Sequence, residues 1–163
     1  MNDITAITTK QAAVGMSHPE LFLDSSALFS GILSSQGGAR ALLLLAEDGK
    51  IQLVVSEQVI AEVERNIARK IPAVLSDARE MIRASCVRIV RNPTLSQLGL
   101  YRDWMKHTVD IPILVAAMTA RVDFLVTLNT RHFMDDPGVS RLSGLRIGTP
   151  GDAIAWLRNE WLK

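Results

Sequence analysis

The sequence predicts an α/β fold: three layers, α/β/α, around a central parallel sheet of four to five strands. Two observations predict it. Short apolar or β-branched runs at residues 21–23, 51–55 and 124–128 alternate with longer stretches of helical periodicity. That alternation is the pattern of right-handed βαβ crossovers with helices on both sheet faces. The second observation is the end of the first run, Leu21-Phe22-Leu23-Asp24-Ser25-Ser26-Ala27-Leu28. A buried strand that ends on an acid and turns at once into a helix sets that carboxyl at the carboxyl edge of the sheet. Ligands and catalytic groups of open α/β sheets gather there.

The elements follow in order. Residues 1–19 are polar and aperiodic and read as a flexible or accessory arm, and residues 20–163 read as one domain of ordinary size. After the first strand a helix is expected from Ser25 or Ser26 to about Leu33. Ser34-Ser35-Gln36-Gly37-Gly38 breaks it. Residues 39–47 form a second helix closed by Gly49. Residues 51–55 read as a fully buried strand, and Ser56 caps the next helix. Val59, Ile60, Val63 and Ile67 make its apolar stripe. Pro72 ends that helix or starts the following one, which runs to about Ala84.

The second half continues the pattern. Residues 86–90 read as a β-branched third strand, and Asn92-Pro93-Thr94 as a turn. Residues 95–106 are ambiguous, helical with a break at Gly99. A helix runs from Val109 or Asp110 to about Arg121, and residues 124–128 make the fourth strand. Residues 131–138 read as a loop or single turn, and residues 145–147 as a short fifth strand. Thr149-Pro150-Gly151-Asp152 opens a last helix with Ile154, Leu157 and Trp161 on one side.

Composition narrows the function classes. Of 163 residues 48% are hydrophobic, enough for a substantial core plus an apolar surface for self-association, so a homodimer is expected. The longest apolar stretch, residues 111–120, is too short to span a bilayer and contains Pro112. Residues 1–20 show no basic start followed by an apolar block. The single Cys86 rules out an internal disulfide framework and a multi-cysteine zinc site. A cytoplasmic protein is the simplest reading. The net charge of +1 announces no polyanion partner, although arginine, which forks onto phosphate, far outnumbers lysine.

Three acids and one amide fall at structurally matching places. Asp24 follows the first strand. Glu62 lies inside the helix after the second strand, six residues past Ser56. Asp110 opens the helix before the fourth strand, and Asn129 sits just beyond that strand. Carboxylates crowded at one edge repel unless a cation lies between them, which points to a hard divalent ion. Structural readings compete at each position. Asp24 and Asp110 both suit helix N-caps. On a helical wheel Glu62 and Glu64 sit at opposite borders of the buried stripe, so periodicity does not choose between them.

With these four residues in order, the sequence resembles the PIN domain family, the nuclease fold of VapC-like toxins and stand-alone bacterial proteins, over roughly residues 20–157. Ser56-Glu57-Gln58-Val59-Ile60-Ala61-Glu62 looks like the family's serine-led helix, and Asp110-Ile111-Pro112-Ile113-Leu114-Val115-Ala116-Ala117 like its second aspartate helix. The resemblance favours Glu62 over Glu64. It implies a metal-dependent endoribonuclease that cleaves single-stranded RNA, with an antitoxin protein as a partner. Asp24, Glu62 and Asp110 would hold Mg²⁺ or Mn²⁺, with Asn129 completing the catalytic set. Many members carry a fourth aspartate where this chain has Asn129, which can ligate or bond a water but brings no charge. Asp135 and Asp136 are nearby acids that would compensate.

Ser26 and Thr127 are supporting candidates, able to orient a water or a neighbouring carboxylate, with capping and strand propensity as their ordinary roles. His107 and His132 read as surface or packing residues rather than general bases. Arg65, Arg69, Lys70 and Arg131 are candidates for steering phosphates, with intrahelical pairing to Glu62 and Glu64 as the alternative for the first three. Trp104, Trp156 and Trp161 read as core or interface anchors. Two rival functions stand beside the nuclease. One is a catalytically weak or silent binding module on the same fold, motivated by Asn129. The other, ranked last, is a receiver-type phosphoacceptor, which lacks an acid paired with Asp24 and a lysine near a later strand end.

Overall fold

A computed structural model describes residues 17–85, 87–136 and 138–162. The expected N-terminal arm falls mostly outside them, as does Cys86, the expected start of the third strand.

Five parallel strands form one sheet in the order β3-β2-β1-β4-β5. They are β1 (Glu20–Leu23), β2 (Gln52–Ser56), β3 (Arg88–Val90), β4 (Phe124–Val126) and β5 (Arg146–Gly148). β1 lies at the centre, with Phe22 opposite Val54 on one side and Leu125 on the other. Leu21, Phe22, Leu23, Val54 and Leu125 are fully buried, as an all-parallel sheet covered on both faces requires.

Helices α1 (Ser25–Leu33), α2 (Gly38–Glu47), α3 (Glu57–Lys70) and α4 (Leu75–Ala84) occupy the crossovers from β1 to β2 and β2 to β3. The path then reverses across β1. Helices α5 (Leu95–Leu100) and α6 (Ile111–Ala120) lead to β4, and α7 (Thr130–Met134) and α8 (Gly138–Ser143) to β5. With right-handed crossovers, that reversal puts the second set on the opposite face and completes the three layers. The last helix, α9 (Pro150–Glu160), returns to α2. α1 and α2 approach closely at Gly31, where a Cβ would stand 2.9 Å from Leu43 Cδ1 and 3.0 Å from the Ala39 carbonyl oxygen.

Several boundaries differ from expectation for local reasons. β4 stops at Val126, because Leu128 N–H leaves the sheet to bond Ser26 Oγ at 3.0 Å. Gly99 does not break α5. A capping box between Thr94 and Gln97 starts that helix, and Gly99 faces open space. The loop or single turn expected over residues 131–138 is a short helix, α7, and a further short helix, α8, follows it unexpected. Neither is long enough to show a helical repeat; each is pinned by one buried side chain, Phe133 or Val139. Ile60 is only half-buried, so the α3 stripe reduces to Val59, Val63 and Ile67. Trp161 lies beyond α9 and is exposed, set edge-on to Trp156 at 6.2 Å. Trp104 and Trp156 are partly buried against the core.

Candidate active site

The strand order reverses between β1 and β4, and a crevice opens at the carboxyl ends of those two strands. Here the structure has a cleft of about 360 Å³. Asp24, Glu62, Asp110 and Asn129 all line it. The three acids come from segments far apart in sequence, yet none points into a separate region of solvent.

Asp24 follows β1 and caps α1, its carboxylate accepting from Ala27 N–H at 2.9 Å. The capping reading and the cleft placement therefore hold together. Ser26 Oγ donates to its Oδ1 at 2.6 Å, and Thr127 Oγ donates to its Oδ2. Thr127 is buried at the end of β4, so its hydroxyl ties the two central strands across the crevice. Burial pushes the Asp24 carboxyl above its ordinary value. The bonds from Ser26, Thr127 and Ala27 pull it down, and the nearby charge of Asp110 adds to the rise.

Glu62 projects from α3 over α1, and Ser25 Oγ donates to its Oε2 at 2.9 Å. Glu64 points elsewhere: Arg79 of α4 donates to it at 2.8 Å and holds its carboxyl below the usual range. The choice that periodicity left open is made by tertiary packing.

Asp110 ends a 3-10 turn, Thr108–Asp110, and precedes α6. It does not cap that helix, since its side chain makes no capping bond. Instead its Oδ2 lies 2.8 Å from Nδ1 of His132. Asn129 stands at the start of α7 with its N–H bonded to Thr127 Oγ at 2.9 Å, and its amide side chain likewise makes no cap.

Asp135 and Asp136 do not compensate for the missing fourth acid. Asp136 accepts from Lys106 N–H at 2.8 Å, and Asp135 faces His107 Nε2 at 3.6 Å; neither lines the cleft. Of the four basic candidates Lys70 lines the cleft, its Nζ 5.6 Å from the Phe29 ring centroid, whereas Arg65, Arg69 and Arg131 do not. The expected pairing with Glu62 and Glu64 gives way to Ser25 and Arg79, and Arg69 bonds Asn66 at 3.5 Å.

Ser25 and His132 are partners of acids that no sequence pattern marks. The signals were small: Ser25 adjoins Asp24, and His132 follows Asn129 by about one helical turn. Asn66 and Gln58 of α3 also face the cleft.

The donors presented are carboxylate, amide and hydroxyl oxygens, the set a hard divalent ion takes. Among the described residues, no group of three His, Cys, Asp or Glu side chains stands close enough to hold one ion by itself. Such a donor set suits an ion that keeps several of its waters, as Mg²⁺ does, better than one that needs a closed protein cage.

A family model described as PIN domain matches residues 20–131, more than half of the chain and the whole span from β1 to Asn129. A chain in the crystal structure of VapBC2 from Rickettsia felis, bound to a DNA fragment from their promoter, superposes with a TM-score of 0.59. The match covers 80% of this chain and 98% of that one at 18% identity, a level that reports the fold. No curated protein matches significantly. By the family model and by this fold, the chain is a member of the PIN domain family.

Proposed function

We propose that this chain is a metal-dependent endoribonuclease acting on single-stranded RNA, the toxin half of a toxin–antitoxin pair. PIN domains are generally metal-dependent nucleases. The observation that carries the reading is the gathering of Asp24, Glu62 and Asp110 in one cleft at the switch point of the sheet.

In this mechanism Asp24, Glu62 and Asp110, together with retained waters, would hold Mg²⁺ or Mn²⁺. A bound ion would supply positive charge near the scissile phosphoryl group and acidify an attacking water. The chain's own residues do the rest. Ser26 and Thr127 keep the Asp24 oxygens oriented, and Ser25 does so for Glu62. Lys70, held over Phe29, offers a phosphate of the strand a cation in a cleft lined by three acids. Asn129 contributes an uncharged oxygen or N–H beside the acids.

The antitoxin partner is proposed from the likeness to a VapBC2 chain. Self-association into a homodimer is supported by exposed leucines such as Leu95 and Leu100. Among the described residues no single helix is long and apolar enough to cross a membrane. A cytoplasmic site of action is proposed with the RNA substrate.

Cleavage of a single-stranded RNA by the purified protein in Mn²⁺ tests the reading. Losing a partner outside the ligand shell typically costs 10–100-fold, so Asp24→Asn or Asp110→Asn should lower the rate by at least about 100-fold. Retained cleavage in either variant rejects the assigned site. RNA binding without turnover across several divalent ions would instead establish the silent binding module, the reading Asn129 favours.

A further inference from the structure

We propose that His132 is the positioning residue for Asp110, fixing its carboxylate toward the cleft by a hydrogen bond from Nδ1. The inference rests on the reading of Asp110 as a metal ligand and adds a residue to it.

Asp110 stands where sequence rules put a helix cap, yet its carboxylate caps nothing. Proline at position 112 removes one of the N–H groups that a cap would satisfy. The side chain needs another donor, and His132 supplies it at 2.8 Å. A carboxylate only accepts, so the shared proton sits on Nδ1.

The imidazole is itself fixed. It stacks on His107 with ring centroids 4.2 Å apart and planes 17° from parallel, and His107 Nε2 lies 3.6 Å from Asp135, at the end of the helix that carries His132. His107 belongs to the segment that carries Asp110, because Asp110 N–H bonds the His107 carbonyl at 3.0 Å. His132 belongs to α7, anchored by the fully buried Phe133 and started by Asn129. The two histidines thus clamp the Asp110 turn to the helix that presents Asn129.

The arrangement completes a pattern. Asp24 has Ser26 and Thr127 as donors, Glu62 has Ser25, and Asp110 has His132. Outer donors of this kind orient a ligand, and their loss typically weakens metal affinity 10–100-fold.

Calorimetric titration of Mn²⁺ into the full chain, with no RNA present, tests the assignment. His132→Phe keeps a ring on His107 but donates nothing. His132→Ala removes both, and His132→Asn restores an N–H near the position of Nδ1. Both non-donor variants should bind Mn²⁺ about 10-fold more weakly or worse, and the asparagine variant within about threefold of the parent. Thermal melts of all variants should stay close to the parent. If Asp110→Asn weakens binding while the non-donor variants bind as the parent does, the positioning role is overturned and the ligand role of Asp110 stands. If Asp110→Asn binds as tightly as the parent, the ligand reading falls and this inference with it. Equal weakness in the asparagine and alanine variants would also overturn it.

Discussion

At Asp24 two demands meet in one carboxyl group: burial, which favours the protonated form, and three donors, which favour the charged one. Burial is the larger, so the group holds its proton more tightly in the folded chain than the ordinary value of 3.8. For an acid raised on folding, the native state binds the extra proton. Stability therefore falls as pH rises from 3.8 through the raised value, and stays lower above it. Without divalent ions, Asp24→Asn should melt at or above the parent at neutral pH, and the gap should close as pH falls toward 3.8. Melting curves across that range check the sign, and a gap that widens on acidification refutes it. Asn129 poses the converse question. Asn129→Asp adds a fourth acid and should tighten Mn²⁺ binding, while lowering metal-free stability through repulsion with Asp24 and Asp110. Calorimetry giving unchanged or weaker binding would place residue 129 outside the ligand shell.

At the scale of an element, α3 carries the most instructive choice. Glu62 and Glu64 look alike in the sequence, one on each border of the buried stripe. α1 approaches one border and brings Ser25 to Glu62, while α4 approaches the other and brings Arg79 to Glu64. Glu62→Gln should abolish Mn²⁺-stimulated cleavage and weaken Mn²⁺ binding. Glu64→Gln should leave both intact and move the melt only slightly, because its ion pair is open to solvent. Loss of binding in the Glu64 variant would reverse the assignment. The elements that were legible from sequence are those with a long periodic face or two buried faces, such as β1, β2, α3 and α6. α8 was not, because a helix of under two turns with one buried side chain leaves no repeat to read. The link between Asp110 and His132 was hidden for another reason. It joins a turn to a helix start 22 residues on, and no spacing rule connects the two.

For the whole molecule, the sheet order explains why four distant residues share one cleft. Alternating apolar runs predicted the layers and the parallel sheet, and strand-end positions predicted that acids would gather. The partners of each acid depend on which helices pack together, which a single sequence does not display. The outer surface offers a test at this scale. Leu95 and Leu100 of α5 are 88% and 75% exposed, apolar side chains that a second copy of the chain would cover. Light scattering should give twice the 17.9 kDa chain mass, and Leu95→Glu with Leu100→Glu should halve it. A parent that already scatters as a single chain would remove the homodimer.

The bond from Thr127 to Asp24 joins residues 103 positions apart, and the sheet is wound outward from β1 in both directions. A ribosome making this chain therefore delivers Asp24 and Glu62 long before Asp110 and Asn129 emerge. Until β4 slots in beside β1, the nascent polypeptide holds half a cleft, with the crevice floor missing. The winding of the sheet is thus also a timer: under the proposed function, any cutting of RNA waits until residue 129 has left the ribosome and β4 has docked.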